Sequence, residues 1–259
     1  MTLSIVRAAS KRPLAKPDLN RDRRERYSVM ISMVVVAGGR GRRMGGATPK
    51  QYLRLRGVEI LDRALQVIVD SDLFHRIIVV VPPEDVASRR GHFNAAFSMK
   101  DRLQVVAGGP ERQQSVYRGL LGCPAETRIV GVHDGVRPFL TRSLLQSLIL
   151  TADRWGGAIA AVQPVDTLKT VDDSGTIVAT VDRHSVWLAQ TPQMFRYSLL
   201  KNAHDQAIAD GFTGTDDAQL VERIGGVVRV VAGSQRNIKI TRPDDVVMAT
   251  AFIDDAANR

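Results

Sequence analysis

The segment Val36-Ala37-Gly38-Gly39-Arg40-Gly41-Arg42-Arg43-Met44, followed by Thr48-Pro49-Lys50-Gln51, concentrates the residue types that hold polyanions. Glycines let a backbone turn tightly and bring its N–H groups against phosphate oxygens, while arginine and lysine neutralise phosphate charge. The segment therefore predicts a phosphate cradle. It fits neither Walker A, which closes on Gly-Lys-Ser/Thr, nor the dinucleotide fingerprint, which needs a third glycine opening a helix; here Gly41 is followed by two arginines and a methionine. A second glycine pair opens Gly108-Gly109-Pro110-Glu111-Arg112-Gln113-Gln114-Ser115. Such a pair allows close backbone approach to a flat base, and Ser115 offers both a donor and an acceptor. In His133-Asp134-Gly135-Val136-Arg137 the carboxylate suits ribose or polyol hydroxyls, or the shell of a magnesium ion. Arg137 reads either as a ligand or as a partner of Asp134, and His133 as structural. Lys239 stands between Ile238 and Ile240, so a strand near 236–240 would aim the lysine away from its apolar neighbours. No Ser/His/Asp or Cys/His arrangement suggests a covalent intermediate.

These groups need a scaffold that brings strand ends together. Short β-branched runs near 33–37, 77–81, 103–107 and 128–133 alternate with helical patterns near 60–69, 84–97, 111–121 and 141–154. The alternation predicts an α/β fold with a doubly wound, mostly parallel, Rossmann-like sheet, whose ligands sit beyond the carboxyl ends of the strands. The first, third and fourth strands lead directly into the glycine loops and Asp134. After Pro164 the rhythm breaks: two β-prone runs, 167–171 and 176–181, flank Asp172-Asp173-Ser174-Gly175, a turn signal. A hairpin alone is marginal and needs a packing surface, and the same arm on a second subunit would supply one. Helices are expected near 196–209, 216–224 and 243–253, with strands near 227–231 and 236–240. Thr215 or Asp216 reads as the cap of the helix that follows, and Trp187 and Phe195 as core.

The chain has 259 residues, 44% hydrophobic and 24% charged, which suits one globular α/β unit and excludes disorder, collagen and disulfide scaffolds. A single cysteine, Cys123, and no zinc-ligand spacing suggest a reducing compartment, hence the cytoplasm. No apolar run reaches a membrane-spanning length, and the N-terminus lacks the apolar region of a signal peptide. Residues 1–32 carry five of the nine net positive charges and read as a basic, disordered leader, or as an over-long start preceding Met30. That charge also raises a remote alternative, a non-catalytic nucleotide- or RNA-binding protein. Aromatics at 5%, none clustered with the basic residues, argue against nucleic acid.

Gly39-x-Gly41-x-Arg43-Met44 with a downstream Pro49-Lys50 resembles the signature loop of sugar-phosphate nucleotidyltransferases, and Pro49-Lys50-Gln51-Tyr52-Leu53 narrows the resemblance to cytidylyltransferases acting on polyol phosphates. Over 33–255 the chain is most similar to the 2-C-methyl-D-erythritol 4-phosphate cytidylyltransferase family of the non-mevalonate isoprenoid pathway. Gly135-Val136 and the Val36-Ala37-Gly38-Gly39 entry are shared with the ribitol-5-phosphate enzymes, which stand as the alternative, whereas Thr180-Val181-Asp182-Arg183 with Trp187, and Thr215-Asp216-Asp217-Ala218, match the methylerythritol enzymes.

The resemblance implies that CTP is held by Ala37, Gly38, Gly39, Gly41, Gly108, Gly109, Ser115 and Gly135. It implies catalytic roles for Arg43, Lys50, Arg183 and Lys239, and contacts of Asp134, Arg137, Thr167 and Thr191 with the polyol phosphate. It further implies Mg2+ carried mainly by the CTP phosphates, with Asp134 the one protein candidate, and a homodimer through the arm at 166–186. The attacking phosphate is already an anion and needs no general base, so the task is to position two polyanions and screen their charge.

Overall fold

The computed structural model describes residues 29–39, 48–97 and 102–257; residues 1–28 of the expected leader and the candidates Gly41 and Arg43 lie outside them. Strand β1 (Met30–Val36) is followed by a short 3-10 turn (Lys50–Tyr52), the two-residue strands β2 (Arg54–Leu55) and β3 (Val58–Glu59), and helix α1 (Ile60–Asp70). The alternation continues with β4 (Arg76–Val81), α2 (Val86–Ala96), β5 (Leu103–Ala107), α3 (Arg112–Leu121), β6 (Thr127–Asp134) and α4 (Arg142–Trp155). Then come β7 (Gly157–Val162), β8 (Leu168–Val171), β9 (Ile177–Val181), β10 (Leu188–Arg196), α5 (Tyr197–Ala209), α6 (Asp217–Arg223), β11 (Val228–Ala232) and α7 (Pro243–Ala257).

Seven strands form one sheet in the order β11-β7-β10-β6-β1-β4-β5. Strand β10 runs antiparallel to β6 and β7, and the other pairings are parallel. Side chains alternate across the sheet: Met33 and Val35 of β1 with Ile77 and Val79 of β4 meet α1 and α4, whereas Val34, Ile78 and Val80 meet α3 and α5. Because helices cover both faces, these strands read as unbroken apolar runs. Each fully buried Val, Leu or Ile contributes about 1.5–3 kcal/mol, so this double cover is what holds the strand ends rigid. Helix α7 packs through Ala249 in a smaller cluster with Leu55, Ile60, Val136 and Ile240, which anchors the segment bearing Lys239.

Strands β8 and β9 form the expected hairpin. Its turn is held by Asp172 Oδ1, which accepts from Ser174 N and Thr176 N at 2.9 Å each, and Gly175 supplies the positive φ of 83°. Three expectations are corrected. Residues 236–240 form no strand: Arg236 lies in a turn, and Ile240 N donates to Val136 O while Lys239 leaves the apolar cluster. Residues 30–32 belong to β1 rather than to a leader, with Ser32 buried and its hydroxyl 2.9 Å from that of Thr127. Trp187 is 40% exposed and is not core, whereas Phe195 is fully buried.

Candidate active site

The parallel strands place their carboxyl ends on one side. Ala37 N donates to Val80 O, Gly108 N to Val81 O and Gly135 N to Val36 O, so the segments leaving β1, β5 and β6 are stitched side by side. Between them lies a cavity of about 280 Å³ whose walls bring together Ala37, Gly38, Gly39, Lys50, Gly109, Ser115, Asp134 and Lys239. It is continuous at Gly38 and Gly39 with a groove reaching Gly108, and at Asp134 and Lys239 with a space that takes in Arg137 and Thr191. Eight sequence-predicted ligands thus converge from segments spread between residues 37 and 239, and Gly108, Arg137 and Thr191 adjoin them. A larger, mainly apolar cavity of about 700 Å³ beside α1 and α7 contains none of the candidate residues.

Local geometry explains the glycines. A Cβ on Gly109 would lie 2.5 Å from Gln114 Cβ, so the loop can fold onto α3 only without a side chain. At Gly39 a Cβ would meet nothing within 4 Å, which leaves the backbone open for approach from the cleft. The Ser115 hydroxyl accepts from Gly109 N at 3.0 Å and lies 3.2 Å from Gly109 O, tying this loop to α3.

Asp134 is the electrostatic centre. Lys239 Nζ lies 2.8 Å from Oδ2, Arg112 Nε 3.4 Å from Oδ1 and Arg137 Nε 3.8 Å from Oδ2. Burial alone would raise its pKa, but Arg112, Lys239 and Arg137 outweigh burial and hold it below the ordinary carboxylate range. Arg112 also donates through Nη2 to the buried Asp217 at 2.8 Å. Burial disfavours its charge, yet Asp217 and Asp134 together keep the guanidinium pKa above its ordinary value.

Behind Asp134, His133 and Thr191 form a fixed set of hydrogen bonds. Since a carbonyl only accepts, the His133 Nε2–H donates to Arg137 O at 3.0 Å, leaving Nδ1 to accept from Thr191 Oγ1 at 3.1 Å. The same Thr191 oxygen accepts from Asp134 N at 3.0 Å. Burial pushes the imidazole pKa down to about 4, so His133 is neutral and structural, as its sequence position suggests. Asn237 extends the brace: its Nδ2 donates to Thr191 O at 2.9 Å, and Arg137 Nη1 donates to Asn237 O at 2.7 Å.

Three candidates stand apart. Gly135 is buried, and a Cβ there would lie 2.8 Å from Leu61 Cδ1, so its size is required by packing and its N–H is already spent on Val36. Thr167 and Arg183 lie at the base of the hairpin and do not line the cleft; Arg183 Nη1 donates to Val165 O at 2.6 Å. Asp216 caps α6 by accepting from Gln219 N, as expected. Sequence reasoning assigned no role to Arg112 or Asp217. Arg112 carried a signal, being the first helical residue after the second glycine pair, whereas Asp217 stood out only as part of the Thr215-Asp216-Asp217-Ala218 block, with nothing to indicate that it pairs with Arg112 across 105 positions.

A mostly parallel sheet with glycine loops and cationic side chains at the carboxyl ends of its strands has the layout of a nucleotide-binding α/β protein. The family model described as 2-C-methyl-D-erythritol 4-phosphate cytidylyltransferase matches residues 31–255, and the chain belongs to that family. A relative of that name from Geobacter metallireducens is 46% identical over 226 residues, spanning 86% of this chain and 97% of its own. Another from Syntrophus aciditrophicus is 44% identical over 86% of this chain and 95% of its own. Among solved structures, 4-diphosphocytidyl-2C-methyl-D-erythritol synthase from Anaerococcus prevotii superposes with a TM-score of 0.79 at 29% identity, over 88% of this chain and 97% of that one. The 2-C-methyl-D-erythritol 4-phosphate cytidylyltransferase from Thermus thermophilus gives 0.70 at 32% identity, over 86% and 98%.

Proposed function

We propose that the chain joins CTP to 2-C-methyl-D-erythritol 4-phosphate, giving 4-diphosphocytidyl-2-C-methyl-D-erythritol and pyrophosphate in isoprenoid precursor biosynthesis. The observation that carries this reading is the convergence of Lys50, Arg112, Asp134 and Lys239 with two glycine loops in one cleft. An oxygen of the acceptor phosphate attacks the α-phosphorus of CTP, and the bond to the bridging oxygen breaks as pyrophosphate leaves. Lys50 faces the triphosphate, where charge grows in the transition state. Lys239 and Arg137 hold the incoming phosphate in line, and the backbone at Gly38, Gly39, Gly108 and Gly109 gives the nucleotide close approach. Arg43, outside the described residues, joins Lys50 in this reading. Ser115 shapes the base site by fixing Gly109.

The donor set around Asp134 does not suit a protein-held metal ion, since both carboxylate oxygens already face cations. A magnesium ion accompanying CTP would be ligated by phosphate oxygens and water, and the residue roles above do not depend on it. A second copy of the chain is the proposed partner of the hairpin, which exposes Val171, Ile177 and Val178 at 57–67%. Arg183 and Thr167 would then serve the partner's cleft. Among the described residues no helix is long and apolar enough to cross a membrane. The free Cys123 fits a reducing compartment such as the cytoplasm.

Pyrophosphate release from CTP, assayed in parallel with 2-C-methyl-D-erythritol 4-phosphate and ribitol 5-phosphate, tests the reading. Release with the first at least tenfold faster supports it. Equal or faster release with ribitol 5-phosphate, or release that needs no acceptor, overturns it.

A further inference from the structure

Behind the cleft a second pair of ionisable groups is buried more deeply than the first. Asp217 and His204 have side chains 1% and 0% exposed, and His204 Nε2–H donates to Asp217 Oδ1 at 3.2 Å. The other oxygen of Asp217 accepts from Arg112 Nη2 at 2.8 Å. Among the described residues His204 Nδ1 is buried without a hydrogen-bond partner. A buried carboxylate forfeits hydration worth several kcal/mol and persists only where it is well paired. An arginine that merely stabilised the fold could pair with an exposed carboxylate instead.

The frame around these groups is rigid. Gln193 of β10 accepts from Ala218 N at 3.0 Å and donates to Asp216 at 2.8 Å, pinning the start of α6. Gln113 of α3 donates to Phe212 O and accepts from Gly214 N, tying the loop before α6 to the helix that carries Arg112. The Nε–Nη2 edge of the guanidinium is thereby divided between two carboxylates, Asp134 and Asp217, and among the described residues Nη1 has no protein partner. A planar guanidinium fixed along one edge presents its remaining donors in one direction.

We propose that Asp217 and His204 are positioning residues for the transfer reaction: Asp217 aims Arg112 into the cleft as a phosphate ligand, and His204 orients Asp217. Without Asp217 the guanidinium collapses onto Asp134 and competes there with Lys239. The choice of phosphate ligand rests on the cytidylyltransferase reading, whereas the geometry does not.

Two measurements test the proposal. Steady-state kinetics of Asp217→Asn, His204→Phe and His204→Gln should show kcat lowered about thirtyfold and about tenfold for the first two, with KM for CTP within about threefold. His204→Gln, which keeps a donor to Asp217, should stay within about threefold of wild type. In an Arg112→Met background Asp217→Asn should change kcat by less than about twofold, because the effect runs through Arg112. A folded Asp217→Asn or His204→Phe protein with unchanged kcat, or additive losses in the double variant, overturns the proposal. The second readout is the Arg112 side-chain 15N signal of the wild-type protein, assigned by its loss in Arg112→Lys. Slow rotation and hydrogen exchange are expected whatever the substrate, and a freely rotating guanidinium would overturn the proposal even if a variant failed to fold. A wild-type protein inactive with both acceptors but with a held Arg112 would instead count against the cytidylyltransferase reading.

Discussion

Lys50 stands at the first residue of a short turn whose neighbour Tyr52 is anchored by a 2.8 Å hydrogen bond to Asp85 and by Arg89 lying 3.5 Å above its ring. A lysine presented from so fixed a base acts mainly where charge develops. Lys50→Ala is therefore expected to lower kcat by about two orders of magnitude, corresponding to about 3 kcal/mol of transition-state stabilisation, with a smaller change in KM for CTP. Steady-state kinetics in which KM rises and kcat holds would contradict this role. His133 makes a different prediction, in stability. Its folded pKa of about 4 lies below the ordinary 6.5, so the unfolded chain takes up a proton that the folded protein refuses. The stabilisation is complete above about pH 7 and is lost as pH falls from about 6.5 towards 4, amounting to about 2 kcal/mol by pH 5. Thermal melts at pH 7 and pH 5 should show a larger drop in Tm for wild type than for His133→Gln.

The glycine loop after β5 is an element whose shape depends on one missing side chain. Gly109→Ala places a Cβ against Gln114, whose Oε1 accepts from Glu111 N at the start of α3. The loop must move into the cleft, and KM for CTP should rise about tenfold with a modest fall in Tm; equal KM values for variant and wild type would show that the loop does not approach the nucleotide. The strands that carry this loop were readable because Ile77–Val81 and Leu103–Ala107 are β-branched runs bounded by turn residues. Strands β7 and β10 were not. Gly157-Ala158-Ile159-Ala160-Ala161-Val162 is a continuous small apolar run without alternation, and β10 contains Pro192 and a break in register between Ala189 and Gln193. Lys239 reaches the cleft for a reason other than strand alternation, since Ile238 and Ile240 anchor a segment that joins no ladder. The cleft residues visible in sequence were mostly those next to strand ends, with Lys50 and Lys239 the exceptions. Asp217, Thr191 and Asn237 depend on contacts between distant segments, and the physical roles of the last two, bracing Asp134 and Arg137, emerge only from the fold.

At the scale of the whole molecule, the hairpin and the cleft belong to one site only if two chains share it. Mixing the inactive variants Lys50→Ala and Arg183→Ala, with subunit exchange verified, should then restore activity, because a heterodimer holds one cleft with Lys50 from one chain and Arg183 from the other. Absence of recovery would assign both residues to the same chain. The strand order also governs how a chain growing from its N-terminus matures. Strands β1, β4 and β5 can pair once residue 107 has emerged, but β6 gains its second neighbour only when β10 arrives, and Lys239 follows later still. Until then the nascent sheet offers an open β6 edge and an aspartate lacking part of its cationic cage, features that invite chaperone capture or misassociation. The arrival of β10 thus closes the sheet around β6, and Lys239 then completes the charge balance of the cleft, so ribosome-stalled chains ending before residue 188 should be protease-sensitive around β6, whereas full-length chains resist.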